Sequence, residues 1–161
     1  MNKNEIYDYL NKKNIKYEIT NHEAVYTMEE LSNIYVPYPE GNAKNLFLKD
    51  DKKKHYYLIT VKGDKRVDLK EFRNKNNTRP LSFTSSNDLF NKMKLTPGSV
   101  TPLGLLNNED KDIIYFIDRY FFDNNIIGVH PNDNTATIWL NPNDLIEIIK
   151  EHGNQVNIVK I

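Results

Sequence analysis

Cysteine is absent from the sequence. That one absence removes disulfides, thiolate zinc sites and a cysteine nucleophile together. Long apolar runs are missing too: nothing approaches the ~18 residues that a membrane span requires. The opening "MNKNEIYDYL" lacks the apolar core of a signal peptide, so a cytoplasmic location is the default expectation. Net charge is also lacking, with 22 Lys and Arg against 22 Asp and Glu, which argues against a general nucleic-acid coat protein. Neither a G-x-S-x-G elbow nor a P-loop occurs, so the usual nucleophile and nucleotide signatures are missing. The histidines His22, His55, His130 and His152 show no i, i+4 spacing, and no carboxylate falls at a recognised ligand offset. No metal and no cofactor is therefore expected.

What remains is an ordinary globular composition. With 161 residues, 39% hydrophobic and 27% charged, the chain is expected to form one domain over residues 1–161. The neutral total hides an uneven distribution. Residues 44–79 hold 12 basic against 5 acidic side chains, a local excess of seven. Such a segment is either a solvated lysine-rich hairpin or a phosphate-steering patch.

The pattern along the chain mixes helices and strands without regular βαβ alternation. A helix is expected over Lys3–Lys13 and a short strand over Lys16–Thr20. "TMEE" at 27–30 fits a capping box that opens a second helix to about Tyr35. Pro37 and Pro39 enforce a loop to Gly41, and a hairpin follows with strands Ala43–Lys49 and His55–Val61. Val67–Arg73 is weakly helical and Leu81–Thr84 is a short strand. Ser85 or Ser86 caps a helix through Lys94 that "TPG" at 96–98 stops. Ile113–Asp118 is an apolar strand, and Ile126–Val129 pairs with Thr135–Leu140 around a turn. Asn141 caps a last helix with Pro142 at its first position, and Gln155–Ile161 closes as a strand. The fold class predicted is α/β of the α+β type: a mixed, largely antiparallel sheet with helices packed around it.

Three short segments are candidates for chemistry. Lys44-Asn45 opens a strand, where an ammonium suits a phosphate or polarised carbonyl and an amide offers both donor and acceptor. A gatekeeping lysine at a strand edge is the plainer account. In "PGSVTP", Gly98 permits close backbone approach or positive φ, and exposed N–H groups there are suited to an oxyanion. A simple helix stop explains the same residues. In "IGVHPNDN", Gly128 marks a bulge or a ligand against the backbone, and His130 stands at the strand's end. A histidine satisfied by a turn carbonyl is the alternative.

Taken together, "HEAVYT" (22–27), "AKNLFLKD" (43–50), "YYLITVKGDKRVDLK" (56–70), "LSF" (81–83), "PGSVTPLGLLN" (97–107) and "GVHPNDNTATIWLNPNDL" (128–145) resemble the YbaK/ProX superfamily of aminoacyl-tRNA editing domains. The match spans essentially the whole chain in order, and is nearest to the free-standing group related to the prolyl-tRNA synthetase insertion domain. Pro37, Tyr38 and Pro39 have no assignable counterpart in the family pattern.

The resemblance implies a barrel-like sheet surrounded by helices. It also implies hydrolysis of the ester between a wrong amino acid and the 3′ end of tRNA, with Ala-tRNA(Pro) as substrate. The partners it implies are that tRNA and, in trans, prolyl-tRNA synthetase, with no membrane. Catalytic roles carry over to Lys44, Gly98, Gly128 and His130. Substrate contacts carry over to Asn45 and to Ser99, Thr101 and Pro102 of the G-x-x-x-P loop, with Val25, Tyr26, Thr27 and Ile34 toward the pocket wall. In this scheme Lys44 holds the terminal adenosine and backbone amides of the glycine-containing loops stabilise the oxyanion. The substrate's 2′-hydroxyl helps to activate water, which accounts for the missing protein nucleophile. Asn45 and His130 are expected to meet the ammonium of the amino acid or to shape the pocket. A non-catalytic tRNA- or synthetase-binding module, or an editor of Cys- or Ser-tRNA(Pro), is compatible with the same sequence.

Overall fold

The structure, a computed structural model, describes residues 1–24 and 36–161. The helix proposed to begin at Thr27, and the wall residues Val25, Tyr26, Thr27 and Ile34, lie outside the described residues.

Helix α1 (Lys3–Lys12) is opened by a full capping box in which Asn2 and Glu5 satisfy each other's backbone N–H, and it buries Ile6 and Leu10. Strand β1 (Tyr17–Asn21) follows, then β2 (Ala43–Asp50) and β3 (Tyr56–Lys62) as an antiparallel hairpin. Helix α2 (Leu69–Asn76) starts two residues later than Val67 because Asp68 is its N-cap, accepting the amides of Lys70 and Glu71. After β4 (Leu81–Phe83), helix α3 (Ser86–Met93) is capped by Ser85. It ends before "TPG", because Lys94 takes a left-handed conformation and closes the helix onto the Phe90 carbonyl. Strand β5 (Ile113–Asp118), the short helix α4 (Tyr120–Asn124), β6 (Ile127–Val129), β7 (Ala136–Leu140), helix α5 (Pro142–His152) and β8 (Val156–Val159) complete the order. Helix α4 and the 3-10 turns over Pro102–Asn107 carry no strong apolar period and were not anticipated from sequence.

Two sheets result, with strand orders β1-β7-β6 and β4-β2-β3-β5-β8. Four of the six pairings are antiparallel; β3-β5 and β5-β8 are parallel. Both sheets face one core, which joins Phe47, Leu58, Tyr115 and Ile117 to Val129, Ile138 and Leu140. Strand β6 approaches the start of β2, so the sheets curl toward each other in a barrel-like arrangement. Among the described residues the barrel does not close. The outer face of the five-stranded sheet carries a second cluster, where Phe72 of α2 packs edge-on to Phe116 with ring centroids 5.0 Å apart. Burial on both faces explains why "YYLITV" is continuously apolar rather than alternating. Among the described residues no helix is long and apolar enough to cross a membrane.

Candidate active site

Strand alternation separates the Lys44-Asn45 pair. Ala43 and Phe47 pack on the inner core while Leu46 and Leu48 join the outer cluster. Asn45 is thereby directed inward, opposite Thr60, and Lys44 to the other face, opposite Val61. Lys44 is half-buried, and among the described residues it takes part in no hydrogen bond or ion pair.

Two hydrogen bonds draw the three candidate segments into one place. Asn45 Nδ2 donates to the Val100 carbonyl at 3.3 Å. The Thr101 hydroxyl donates to the His130 carbonyl at 2.7 Å. The loop 98–102 is thus held between the mouth of β2 and the end of β6. The Ser99 hydroxyl turns back onto the Thr96 carbonyl at 3.1 Å, and Thr101 and Pro102 are buried. The hydroxyls of Ser99 and Thr101 are therefore committed to the framework of the loop. Gly98 does not use positive φ, since Gly153 is the one glycine that does so among the described residues.

Gly128 has a packing reason. It opposes Trp139 in the β6-β7 ladder, and a Cβ there would lie 2.5 Å from the indole ring. His130 keeps one ring nitrogen for its neighbours: Nδ1 lies 3.0 Å from the Ala136 carbonyl. A carbonyl only accepts, so Nδ1 carries the proton and Nε2 offers a lone pair. Burial pushes the His130 pKa below the ordinary histidine range, against the opposing pull of that carbonyl, and the nearby His22 adds to the lowering.

His22 is a neighbour to which sequence reasoning assigned no role. Its ring meets that of His130 edge-on, with centroids 6.3 Å apart. Nδ1 donates to the Glu23 carbonyl at 2.8 Å, and Nε2 lies 3.1 Å from the Thr137 hydroxyl. "HEAVYT" lay among the matching segments, but the contact with residue 130 spans over a hundred positions and has no local signature.

A separate cavity of about 480 Å³ lies where β3, β5 and β8 end. Lys62, Lys65, Arg119 and Lys160 line it with Asp64, Asp118, Asp123 and Tyr120. Lys65 Nζ sits 3.3 Å from the buried Asp118 carboxylate, and Lys62 lies 3.6 Å from Asp64. Ala43 opposes Lys62, so Lys62 projects to the inner face and Lys44 to the other.

Residues 22–148 match the family model of the aminoacyl-tRNA editing domain. The chain belongs to this family. It is a member of the YbaK/ProX group of aminoacyl-tRNA hydrolases. Among its relatives, the prolyl-tRNA editing protein ProX of Acetoanaerobium sticklandii is 36% identical over 152 residues, covering 94% of this chain and 93% of the relative. The prolyl-tRNA synthetase associated domain-containing protein 1 of Mus musculus is 32% identical over 144 residues, covering 87% and 85%. A crystal structure described as a candidate trans-editing enzyme for prolyl tRNA synthetase superimposes with a TM-score of 0.70. It covers 99% of this chain and 96% of that one at 18% identity, a level that speaks for the fold.

Proposed function

We propose that residues 1–161 form one trans-acting deacylase domain that clears mischarged tRNA(Pro), with alanine as the wrong amino acid. Support comes from one relative named as a prolyl-tRNA editing protein, from another named for a prolyl-tRNA synthetase associated domain, and from the site residues. The observation that carries the reading is the pair of hydrogen bonds tying Asn45 to the 98–102 loop and that loop to His130.

An aminoacyl ester is already activated, so the site has only to orient it, stabilise the oxyanion and admit water. Water oxygen attacks the carbonyl carbon, the bond to the ribose 3′ oxygen breaks, and that oxygen leaves with a proton. Free amino acid and an intact tRNA end result. Neutral His130 offers Nε2 as an acceptor for the ammonium of the amino acid, whereas a charged ring would repel it. Lys44, on the opposite face of β2 from Asn45, supplies a point charge for the terminal adenosine and its phosphate rather than for the oxyanion. The basic excess of residues 44–79 would steer the phosphate backbone in a salt-sensitive way.

Alanine follows from size. Alanine lacks two of proline's ring carbons, each worth only about 1–3 kcal/mol in a pocket, and a pocket shaped for the larger ring has no wall that shuts the smaller side chain out. A second, smaller pocket that shuts out proline restores fidelity.

The test is release of amino acid from a panel of Ala-, Cys-, Ser- and Pro-tRNA(Pro). Ala-tRNA(Pro) should be cleaved and Pro-tRNA(Pro) spared. Lys44→Ala should abolish cleavage while leaving the thermal unfolding midpoint unchanged; a wild-type rate in that variant removes Lys44 from the mechanism. Binding of tRNA without any release would make the chain a non-catalytic module.

A further inference from the structure

A polar chain crosses the otherwise apolar inner face of the five-stranded sheet. The Tyr115 hydroxyl donates to Thr60 Oγ1 at 2.9 Å, and Thr60 Oγ1 donates to Asn45 Oδ1 at 2.5 Å. Asn45 Nδ2 then donates to the Val100 carbonyl at 3.3 Å. The polarity of this chain is forced. Val100 presents only a carbonyl, so the amide nitrogen of Asn45 must face it and the amide oxygen must face Thr60. Thr60 has a single proton, which goes to that oxygen, so it accepts from Tyr115. Burial raises the Tyr115 pKa, although the Thr60 contact works the other way, and the phenol keeps its proton.

Thr60 and Tyr115 are both 0% exposed, set among Leu58, Ile113 and Ile117. Valine and phenylalanine would fill nearly the same space with no polar atom to satisfy, and buried polar groups are costly unless fully paired. The chain ends at the one polar side chain of β2 that faces the 98–102 loop. Its effect there is to grip the amide oxygen at 2.5 Å, where the Val100 carbonyl holds the nitrogen only at 3.3 Å. An unconstrained asparagine amide flips readily and presents oxygen where nitrogen was.

We propose that Thr60 and Tyr115 are positioning residues for deacylation, holding the Asn45 amide so that its second N–H is directed at the aminoacyl ester. This rests on the editing function proposed above. With the amide fixed, an N–H meets the negative charge that develops on the ester carbonyl. With it flipped, Oδ1 meets that charge instead, and the loss falls on kcat because the charge exists only in the transition state.

The experiment measures kcat and KM on Ala-tRNA(Pro) for Thr60→Val, Thr60→Ser, Tyr115→Phe, Asn45→Ala and the double variant Asn45→Ala/Thr60→Val. Thr60→Val and Asn45→Ala are each expected to lower kcat about 10- to 100-fold with KM little changed, and Thr60→Ser to restore it. Tyr115→Phe, which leaves Thr60 its own proton, should lose about 3- to 10-fold. The double variant should be no slower than Asn45→Ala alone, since Thr60 acts only through Asn45. Wild-type kcat in Thr60→Val, or multiplied losses in the double variant, overturns the proposal. If Thr60→Val does not fold, Tyr115→Phe decides, and an unchanged kcat there overturns it. Absence of any release by the wild-type protein would instead refute the editing function itself.

Discussion

Replacing Gly128 with alanine is expected to destabilise the protein through Trp139. The added Cβ would stand 2.5, 2.9 and 3.0 Å from three carbons of the indole six-membered ring. Carbon atoms prefer about 3.5–4.0 Å, so a gap of about 1 Å must open. The ring has little room to retreat. Its Nε1 donates to Thr20 at 2.9 Å, the Tyr38 ring leans on it at 5.7 Å, and it is 4% exposed. Overpacking of this kind costs about 1–3 kcal/mol, from which alanine recovers about 0.4–1 kcal/mol by restricting the unfolded chain. The net loss is about 1.5 kcal/mol, which at this length lowers Tm by about 3–6 °C. Urea and thermal unfolding, followed by far-UV circular dichroism, measure it. Gly128→Ala/Trp139→Phe should regain part of the loss, because the smaller ring vacates the contact. Parental stability in the single variant, or no recovery in the double one, refutes the steric account of Gly128. Deacylation that returns together with stability assigns residue 128 to packing.

Two further predictions concern pH. His130 has its pKa lowered on folding, so the unfolded chain binds the extra proton first; its contribution to stability is complete above the ordinary histidine range near pH ~6.5 and declines as pH falls through the lowered value. His130→Gln should flatten that decline in urea midpoints, and the acid limb of kcat/KM in the parent should lie below pH ~6.5; a limb above it contradicts a neutral His130. Burial alone would raise the Asp50 pKa, but the N–H groups of Lys54, the His55 ring and Lys52 hold it below the ordinary carboxyl range. Its charge-linked stabilisation is present above pH ~4 and declines as pH falls through the lowered value, so Asp50→Ala should cost about 1–2 kcal/mol at pH 7 and less at acid pH, as read from urea unfolding across that range.

Much of the fold is legible because its signals are local. Ser85, and Asn141 with Pro142, each announce a helix start within a few residues, and the hairpin of β2 and β3 connects through a short polar turn. The ends are less legible. Lys94 closes α3 by adopting a left-handed conformation that its side chain does not advertise. The parallel placement of β5 beside β3, and of β8 beside β5, depends on partners far away along the chain.

The site divides along the same line. Residue types and their order carried the resemblance to the editing family, and with it the expectation that its chemistry falls on Lys44, Asn45, the 98–102 loop and His130, since a motif is a local pattern that survives without coordinates. Only the tertiary structure decided that Asn45 and Lys44 look to opposite faces, that Gly128 makes room for an indole, and that His22 stands against His130. It alone turned Thr60 and Tyr115, which read as core positions within apolar strands, into a directed chain of donors. The physical reason is that a hydrogen bond or a steric contact needs two groups within a few ångströms. Distance along the chain says nothing about that separation until packing brings the strands together.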